Sequence, residues 1–75
     1  MSFSDEIKTI RQQSFLSQEA FARALNVSFS SVNRWESGRS KPNLKAMKNM
    51  QKYCKENGFN FKSLEKEWFL IKKEG

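Results

Sequence analysis

One stretch, residues 17–38, constrains the fold more than any other part of this 75-residue chain. It reads SQEAFARALNVSFSSVNRWESG, and apolar residues recur at helical spacing on either side of a single position suited to a turn. Ser17 and Ser28 can each cap a helix, and Gly38 suits the end of the second one. Asn26 lies between the two patterns, and asparagine tolerates left-handed backbone angles better than most residues. The stretch therefore predicts two short helices joined by a tight corner.

The second predicted helix, residues 28–37, has one face suited to burial and another suited to a partner. Val32 and Trp35 are three positions apart, so both are expected to point into the protein. The opposite face carries Phe29, Ser30, Asn33, Arg34 and Ser37. An exposed phenylalanine gains nothing in water, so Phe29 indicates either a surface for a ligand or a ring that folds back beneath the C-terminal helix.

The residues before this stretch predict a first helix and a short connector. Ser2 or Ser4 can cap a helix in which Ile7 and Ile10 form an inward stripe. The helical spacing then breaks. Phe15 and the leucine after it are expected to pack beneath the two-helix stretch.

The residues after the stretch predict a loop and a fourth helix. Pro42 disfavours helical geometry at the residue before it, and Asn43 can cap the helix that follows. Apolar residues recur at helical spacing to about Asn57, and Gly58 suits the helix end. We expect an all-α protein, a compact bundle of four to five short helices, with residues 1–58 as its main domain.

Residues 59–75 predict a further amphipathic helix, with lysines and glutamates on its polar side. Its apolar positions recur at helical spacing: Phe61, Leu64, Trp68 and Ile71. Three roles are consistent with this pattern. The helix closes the core of the preceding domain, it forms a dimerisation face, or it binds a membrane or another protein as a basic amphipathic helix. The glutamates between the lysines argue against a membrane surface.

Positive charge is concentrated at the end of the predicted helix of residues 28–37 and in the loop after it. The chain has a formal net charge of +6 and a pI near 9.8. Five bases and one acid lie between Arg34 and Lys48, which is the pattern expected of a surface that contacts phosphates. The lysines of the last helix alternate with glutamates and are interpreted as an ordinary solvated face.

The scarcity of some residue types excludes several classes of site. With one cysteine and no histidine, the chain cannot form an internal disulfide, a zinc finger or a histidine-based triad. It has no phosphate-binding glycine loop and no acid cluster, so we expect no enzyme, no metal site and no cofactor. Cys54 is interpreted as a small helix-face residue, and a lone cysteine agrees with a reducing, cytoplasmic location. We expect no membrane partner, since no apolar run is long enough to cross a bilayer.

Several further features occur together in residues from about 5 to 57. Gln18 opens the first helix of the 17–38 stretch, small Ala22 lies where its two helices touch, and Asn26 is the corner residue. Five positions are apolar: Phe21, Leu25, Val27, Val32 and Trp35. At the end of the stretch and just after it lie two short closing runs, residues 35–39 and residues 41–42. Together these features resemble the phage repressor and Cro family of DNA-binding domains. Most members have glycine at the corner, where this chain has Asn26. The resemblance implies a fold like that of lambda repressor, with residues 17–38 as its helix-turn-helix.

The resemblance implies that residues 28–37 enter the major groove of double-stranded DNA. The family's base-contacting positions correspond to Phe29, Ser30, Asn33 and Arg34. Asn33 suits adenine and Arg34 suits guanine or a phosphate. Phe29 suits a thymine methyl group, and Ser30 can take either role.

The resemblance also implies the residues that contact phosphates and one structural pair. The phosphate contacts, which include backbone amides at helix N-termini, are assigned to Gln18, Ser17, Ser28, Arg39, Lys41 and Asn43. The alternative for Arg39 and Lys41 is that they are ordinary solvated loop residues that contact no phosphate. Family members often pair an arginine of the first helix with an acid at the end of the second motif helix. Here that pair is Arg11 and Glu36, and it would lock the first helix to the motif.

Two functions are consistent with the sequence. One is a sequence-specific DNA-binding regulator, either a small repressor or the DNA-binding part of an antitoxin. Such proteins usually bind two half-sites, so we expect a homodimer at least on DNA. The other is a protein-interaction module that has the same fold but does not read DNA. A salt series on random and operator-like duplexes separates the two, because phosphate contacts make binding steeply salt-dependent.

Overall fold

A computed structural model describes residues 2–71, and these residues form five α-helices and no β-strand. In chain order the helices are α1 (Phe3–Gln13), α2 (Gln18–Leu25), α3 (Phe29–Glu36), α4 (Leu44–Asn57) and α5 (Phe61–Leu70). The prediction of an all-α bundle of four to five short helices is confirmed. The predicted domain of residues 1–58 includes position 1, and the predicted helix of residues 59–75 includes positions 72–75. These five positions lie outside the described residues.

Each helix in the described residues begins at a side-chain cap. A serine hydroxyl or an asparagine amide oxygen accepts a hydrogen bond from a backbone N–H of the first turn, and the caps are Ser2, Ser17, Ser28, Asn43 and Asn60. A cap satisfies an N–H group that has no partner within the helix, and it contributes about 1 kcal/mol. The local sequence thus sets where each helix begins, including the choice of Ser2 over Ser4 for α1.

The ends of α2 and α4 use left-handed backbone geometry, which stops each helix and redirects the chain. Asn26 has φ 58° and ψ 45°, and Gly58 has φ 75° and ψ 23°. Glycine and asparagine adopt these angles at a lower steric cost than other residues. The corner expected at Asn26 is therefore present, and it turns the chain directly from α2 into α3.

The five helices share one hydrophobic core. Its buried members are Phe3, Ile7, Ile10, Phe21, Ala22, Leu25, Val32, Trp35, Ala46, Met47, Met50, Cys54 and Leu64. α3 packs against α1 and α2, while α4 packs against α2 and α5. Because the packing of α3 uses Val32 and Trp35, the opposite face of this short helix stays in solvent.

α5 closes the side of the core formed by α1 and α4. Leu64 is fully buried, whereas Phe69 and Leu70 at the end of the helix are exposed. The indole Nε1 of Trp68 donates a hydrogen bond to the carbonyl oxygen of Pro42 at 2.8 Å. The helix therefore packs on its own domain and also holds the loop that follows α3. Its exposed apolar end remains available to a dimer partner or to another protein.

Phe15 does not pack beneath the helix-turn-helix, so the expectation is wrong for this residue, whereas Leu16 is partly buried and packs against the core. The side chain of Phe15 is 95% exposed and its backbone φ is 58°. The N–H groups of Phe15 and Leu16 donate to the carbonyl oxygens of Gln12 and Arg11. This is a Schellman-type helix end, in which the left-handed residue is usually glycine. The hydrogen bonds that end α1 fix the backbone here and leave the ring in solvent.

Replacing Phe15 with glycine is expected to stabilise the protein by about 0.5–1 kcal/mol. Left-handed geometry costs a non-glycine residue about 1–2 kcal/mol, and the greater freedom of glycine in the unfolded chain offsets part of the gain. Urea denaturation followed by circular dichroism measures the change. Phe15→Ala removes the ring but keeps Cβ, so it should stay within about 0.5 kcal/mol of wild type. A Phe15→Gly protein that unfolds at lower urea than wild type would contradict this account.

Candidate nucleic-acid interface

α3 presents a polar face to solvent and is anchored by its opposite face. Val32 is fully buried and Trp35 is 4% exposed. The four predicted base-contacting residues all lie at exposed positions: Phe29, Ser30, Asn33 and Arg34. Phe29 is 48% exposed, so its ring is not buried beneath α5. The two buried side chains thus determine which face of α3 is available to a ligand.

An ion pair between Arg11 and Glu36 connects α1 to the end of α3. Arg11 Nε lies 2.7 Å from Glu36 Oε2, and Arg11 Nη2 lies 3.1 Å from Glu36 Oε1. Arg11 Nη1 also donates to the carbonyl oxygen of Leu16 at 3.0 Å. The hydrogen bonds to Glu36 raise the pKa of Arg11, against the opposing effect of burial. The side chain of Glu36 is only 2% exposed, so the two helices are joined by a largely buried charged contact.

Gln18 extends this contact to the exposed face of α3. Its Nε2 donates to Glu36 Oε1 at 3.0 Å, and its Oε1 accepts from Asn33 Nδ2 at 3.2 Å. The family resemblance assigns Gln18 to a phosphate, but both ends of its amide already bond protein side chains. Asn33, which is expected to contact a base, is therefore held in place through Gln18.

A cleft of 570 Å³ lies between α3 and the start of α4. Its lining includes three cations and five uncharged polar side chains: Arg34, Lys41, Lys45, Asn26, Ser31, Ser40, Asn43 and Asn49. Arg34 and Lys45 are exposed, and Lys41 is partly buried. Cations gathered in a cleft raise the local positive potential, which attracts phosphate groups. The cleft therefore places three cations directly beside the presented helix.

The loop after α3 is held against α5. Pro42 is fully buried, and Lys41 Nζ lies 5.0 Å from the centre of the Trp68 ring. This cation–π contact keeps the ammonium group beside the indole. Arg39, the other loop cation assigned to phosphate, is exposed. α5 thus positions one of the two loop cations, although it lies outside the segment that resembles the phage repressor family.

The helix N-termini at Ser17, Ser28 and Asn43 are all exposed to solvent. In each of them the side-chain oxygen of the cap accepts a hydrogen bond from the backbone N–H three residues later. A cap of this kind satisfies one of the N–H groups that a helix start leaves unpaired. The other N–H groups of the first turn remain available to an anion.

Two features of this surface were not assigned from the sequence. Lys45 lines the cleft. The sequence feature that could have identified it is its position in the basic run, just after the Asn43 cap. The hydrogen bond between Gln18 and Asn33 joins residues 15 positions apart. It has no sequence pattern, because it depends on how α2 and α3 cross.

Residues 2–71 contain no group of His, Cys, Asp and Glu side chains arranged to hold a metal ion. In the same part of the chain, no helix has the length and apolar character needed to cross a membrane. Cys54 is buried, and burial raises the pKa of its thiol to about 11. The thiol therefore stays protonated near neutral pH, which makes it a poor nucleophile.

Comparison with known proteins gives one family and two relatives. The model of the family described as helix-turn-helix matches residues 7–57. A 53-residue segment is 34% identical to the HTH-type transcriptional activator BcrR of Enterococcus faecalis, covering 71% of this chain and 26% of that relative. A 43-residue segment is 46% identical to antitoxin HigA-2 of Vibrio cholerae, covering 57% of this chain and 41% of that relative. The chain thus corresponds to less than half the length of either relative, and no solved structure matches it significantly.

Proposed function

We propose that this chain, which belongs to the helix-turn-helix family, is a sequence-specific DNA-binding transcriptional regulator. The match over residues 7–57 confirms the resemblance to the phage repressor and Cro family. The proposal rests on the outward face of α3, where Asn33 and Arg34 are exposed. Val32 and Trp35 hold the helix from behind. In proteins with this motif, the second helix lies in the major groove of DNA.

The dimensions and chemistry of α3 suit that groove. Its eight residues form a rod about 12 Å long, and the major groove is about 12 Å wide. We assign Asn33 to adenine and Arg34 to guanine or a phosphate, because their donors and acceptors match those groups. Phe29 would lie against a thymine methyl group, and Ser30 would contact either a base or a phosphate.

We assign the phosphate contacts to the cations and helix starts around α3. Arg39 and the cleft residues Lys41 and Lys45 supply positive charge, and the exposed helix starts supply backbone amides. Contacts of this kind fix the position of a protein on DNA but carry no sequence information. Sequence preference would therefore come from α3 alone.

We propose that the protein binds as a homodimer at least on DNA. One short helix reaches only a few base pairs, whereas two copies related by a two-fold axis read half-sites about 34 Å apart. Three apolar side chains near the start of α4 and the end of α5 are more than half exposed: Leu44, Phe69 and Leu70. Exposed apolar groups of this size favour contact with a second copy.

We propose repression as the mode of action and the cytoplasm as the location. Repression requires only that the protein occupy its operator and exclude other proteins, so a small DNA-binding domain suffices. Both relatives come from bacteria, in which DNA lies in the cytoplasm. We assign the chain no catalytic activity and no cofactor.

The second candidate function is a component of an antitoxin or another protein-interaction module with this fold. The similarity to an antitoxin favours it. The exposed apolar side chains at the end of α5 would then contact a protein partner instead of a second copy. Failure to bind any duplex at low salt would favour this alternative.

Selection of binding sites from random oligonucleotides tests the proposed function. We expect an enriched sequence made of two symmetric half-sites about one helical turn apart. A single enriched half-site would keep the DNA-binding role but reject the homodimer. No enriched sequence would reject the proposed function.

Asn33→Ala and Arg39→Ala are expected to weaken DNA binding in different ways. Asn33→Ala should reduce affinity for the selected site by about 5- to 150-fold and leave a random duplex nearly unaffected, because a base contact is worth about 1–3 kcal/mol. Arg39→Ala should weaken both duplexes alike and reduce the salt slope by about 0.9 per subunit. Fluorescence anisotropy from about 50 to about 200 mM salt measures both effects. Equal losses on the two duplexes for Asn33→Ala would contradict base reading.

A further inference from the structure

We propose that Gln18 is a positioning residue that fixes the hydrogen-bonding polarity of Asn33 and thereby makes Asn33 select adenine. The inference rests on the proposed function and concerns the base that α3 reads. A chain of side-chain contacts begins at the ion pair of Arg11 and Glu36. It passes through Gln18 and ends at Asn33 on the exposed face of α3.

The ion pair determines which end of the Gln18 amide faces which neighbour. The carboxylate of Glu36, bonded by the Arg11 guanidinium, offers only hydrogen-bond acceptors. The Gln18 group that lies 3.0 Å from it must therefore be the NH₂ group. A flipped amide would place two oxygens against each other. The amide oxygen of Gln18 consequently faces α3.

That oxygen in turn determines the orientation of Asn33. An amide oxygen only accepts hydrogen bonds, so the Asn33 atom 3.2 Å away must be Nδ2. One of its two N–H groups is donated to Gln18. The second N–H group and Oδ1 remain for a ligand on the exposed side of the helix. The buried ion pair thus decides which atoms α3 presents at this position.

One donor beside one acceptor matches adenine. In the major groove adenine presents the N7 acceptor next to the N6 amino donor, whereas guanine presents two acceptors, N7 and O6. Asn33 held by Gln18 can satisfy both atoms of adenine but only one of guanine. A free Asn33 would have to be ordered when DNA binds. Ordering one such side chain reduces affinity by about 2- to 13-fold.

This role differs from a phosphate contact in a measurable way. Phosphates are present in every sequence, so losing a phosphate contact weakens all duplexes alike. Losing the orientation of Asn33 weakens only duplexes that carry adenine at the position it reads. The two roles therefore predict different results for the same substitution.

Gln18→Met in the full chain removes both polar ends of the side chain and keeps its length. Its binding is measured on the selected site, on that site with 7-deazaadenine in place of the adenine, and on a random duplex. We expect the preference for adenine over 7-deazaadenine to fall by about 2- to 13-fold, with random-duplex affinity unchanged. Gln18→Ala should behave in the same way. Gln12→Met, at an exposed glutamine of α1, is the matched control and should keep the wild-type preference.

A double-mutant comparison and a spectrum of the free protein complete the test. In an Asn33→Ala background, Gln18→Met should no longer change the adenine preference. Without DNA, a ¹H–¹⁵N spectrum should show the side-chain NH₂ signals of Asn33 shifted in Gln18→Met and unshifted in Gln12→Met. Unshifted Asn33 signals in Gln18→Met would overturn the proposal that Gln18 orients Asn33.

The remaining outcomes separate this inference from the proposed function. If Asn33→Ala abolishes an adenine preference that Gln18→Met retains, the inference is wrong and the proposed function stands. The same holds if Gln18→Met weakens all duplexes equally, or if Asn33 proves to read a base other than adenine. If the wild-type protein shows no sequence preference, the proposed function fails and the inference fails with it.

Discussion

Arg11→Ala is expected to lower the free energy of unfolding by about 3–5 kcal/mol, because it leaves the Glu36 carboxylate buried without its cation. The side chain of Glu36 is only 2% exposed, so water cannot replace the guanidinium. A domain of this size has a stability of roughly 3–5 kcal/mol in total. A large fraction of the variant should therefore be unfolded, which urea denaturation followed by circular dichroism would show.

Two further variants identify the cause of that loss. Arg23→Ala removes an arginine at an exposed position of α2, and it should change stability by less than about 0.5 kcal/mol. Arg11→Lys should lower the free energy of unfolding by more than Arg23→Ala and by less than Arg11→Ala, since one ammonium cannot reproduce the directed hydrogen bonds of a guanidinium. An Arg11→Ala protein with the wild-type urea midpoint would show that the pair does not stabilise the fold.

Leu64→Ala is expected to lower the free energy of unfolding by about 2–5 kcal/mol, because it leaves a cavity in the core. Leu64 is fully buried on α5, and this helix packs against α1 and α4. α5 lies beyond residues 7–57, which match the family model. A large loss would show that the domain is not complete without this additional helix. Thermal and urea unfolding both measure it.

Leu70→Ala is the matched control for Leu64→Ala, on the same helix and with the same change of side chain. Leu70 is 61% exposed, so the substitution should cost less than about 0.5 kcal/mol. A small loss for Leu64→Ala would contradict the packing of α5 on its own domain. Wild-type unfolding that depends on protein concentration, together with Leu70→Ala unfolding that does not, would assign the end of α5 to a dimer contact.

The position of α5 also affects the candidate DNA surface. Trp68 bonds the carbonyl oxygen of Pro42 and lies under the ammonium group of Lys41. The amphipathic pattern of residues 59–75 predicted a helix but left three roles for it. Which role applies in the monomer depends on contacts between residues about 26 positions apart, and helical spacing carries no information about such contacts.

Phe15 shows how local and tertiary effects compete within a few residues. Its apolar character and its position after the first helix predicted burial. Hydrogen bonds at the end of α1 instead require left-handed geometry there, and the ring is left in solvent. A short connector offers few backbone conformations, so its hydrogen bonds outweigh the burial of one side chain.

The sequence by itself determined the elements that depend on neighbouring residues. Capping side chains at Ser17, Ser28 and Asn43, the corner at Asn26 and the apolar spacing of each helix are local properties, and they defined the helix-turn-helix and its exposed face. The tertiary structure alone decided that Gln18 links the ion pair to Asn33. Hydrogen-bond polarity depends on which atoms of distant residues meet, and the packing of α1, α2 and α3 determines that meeting.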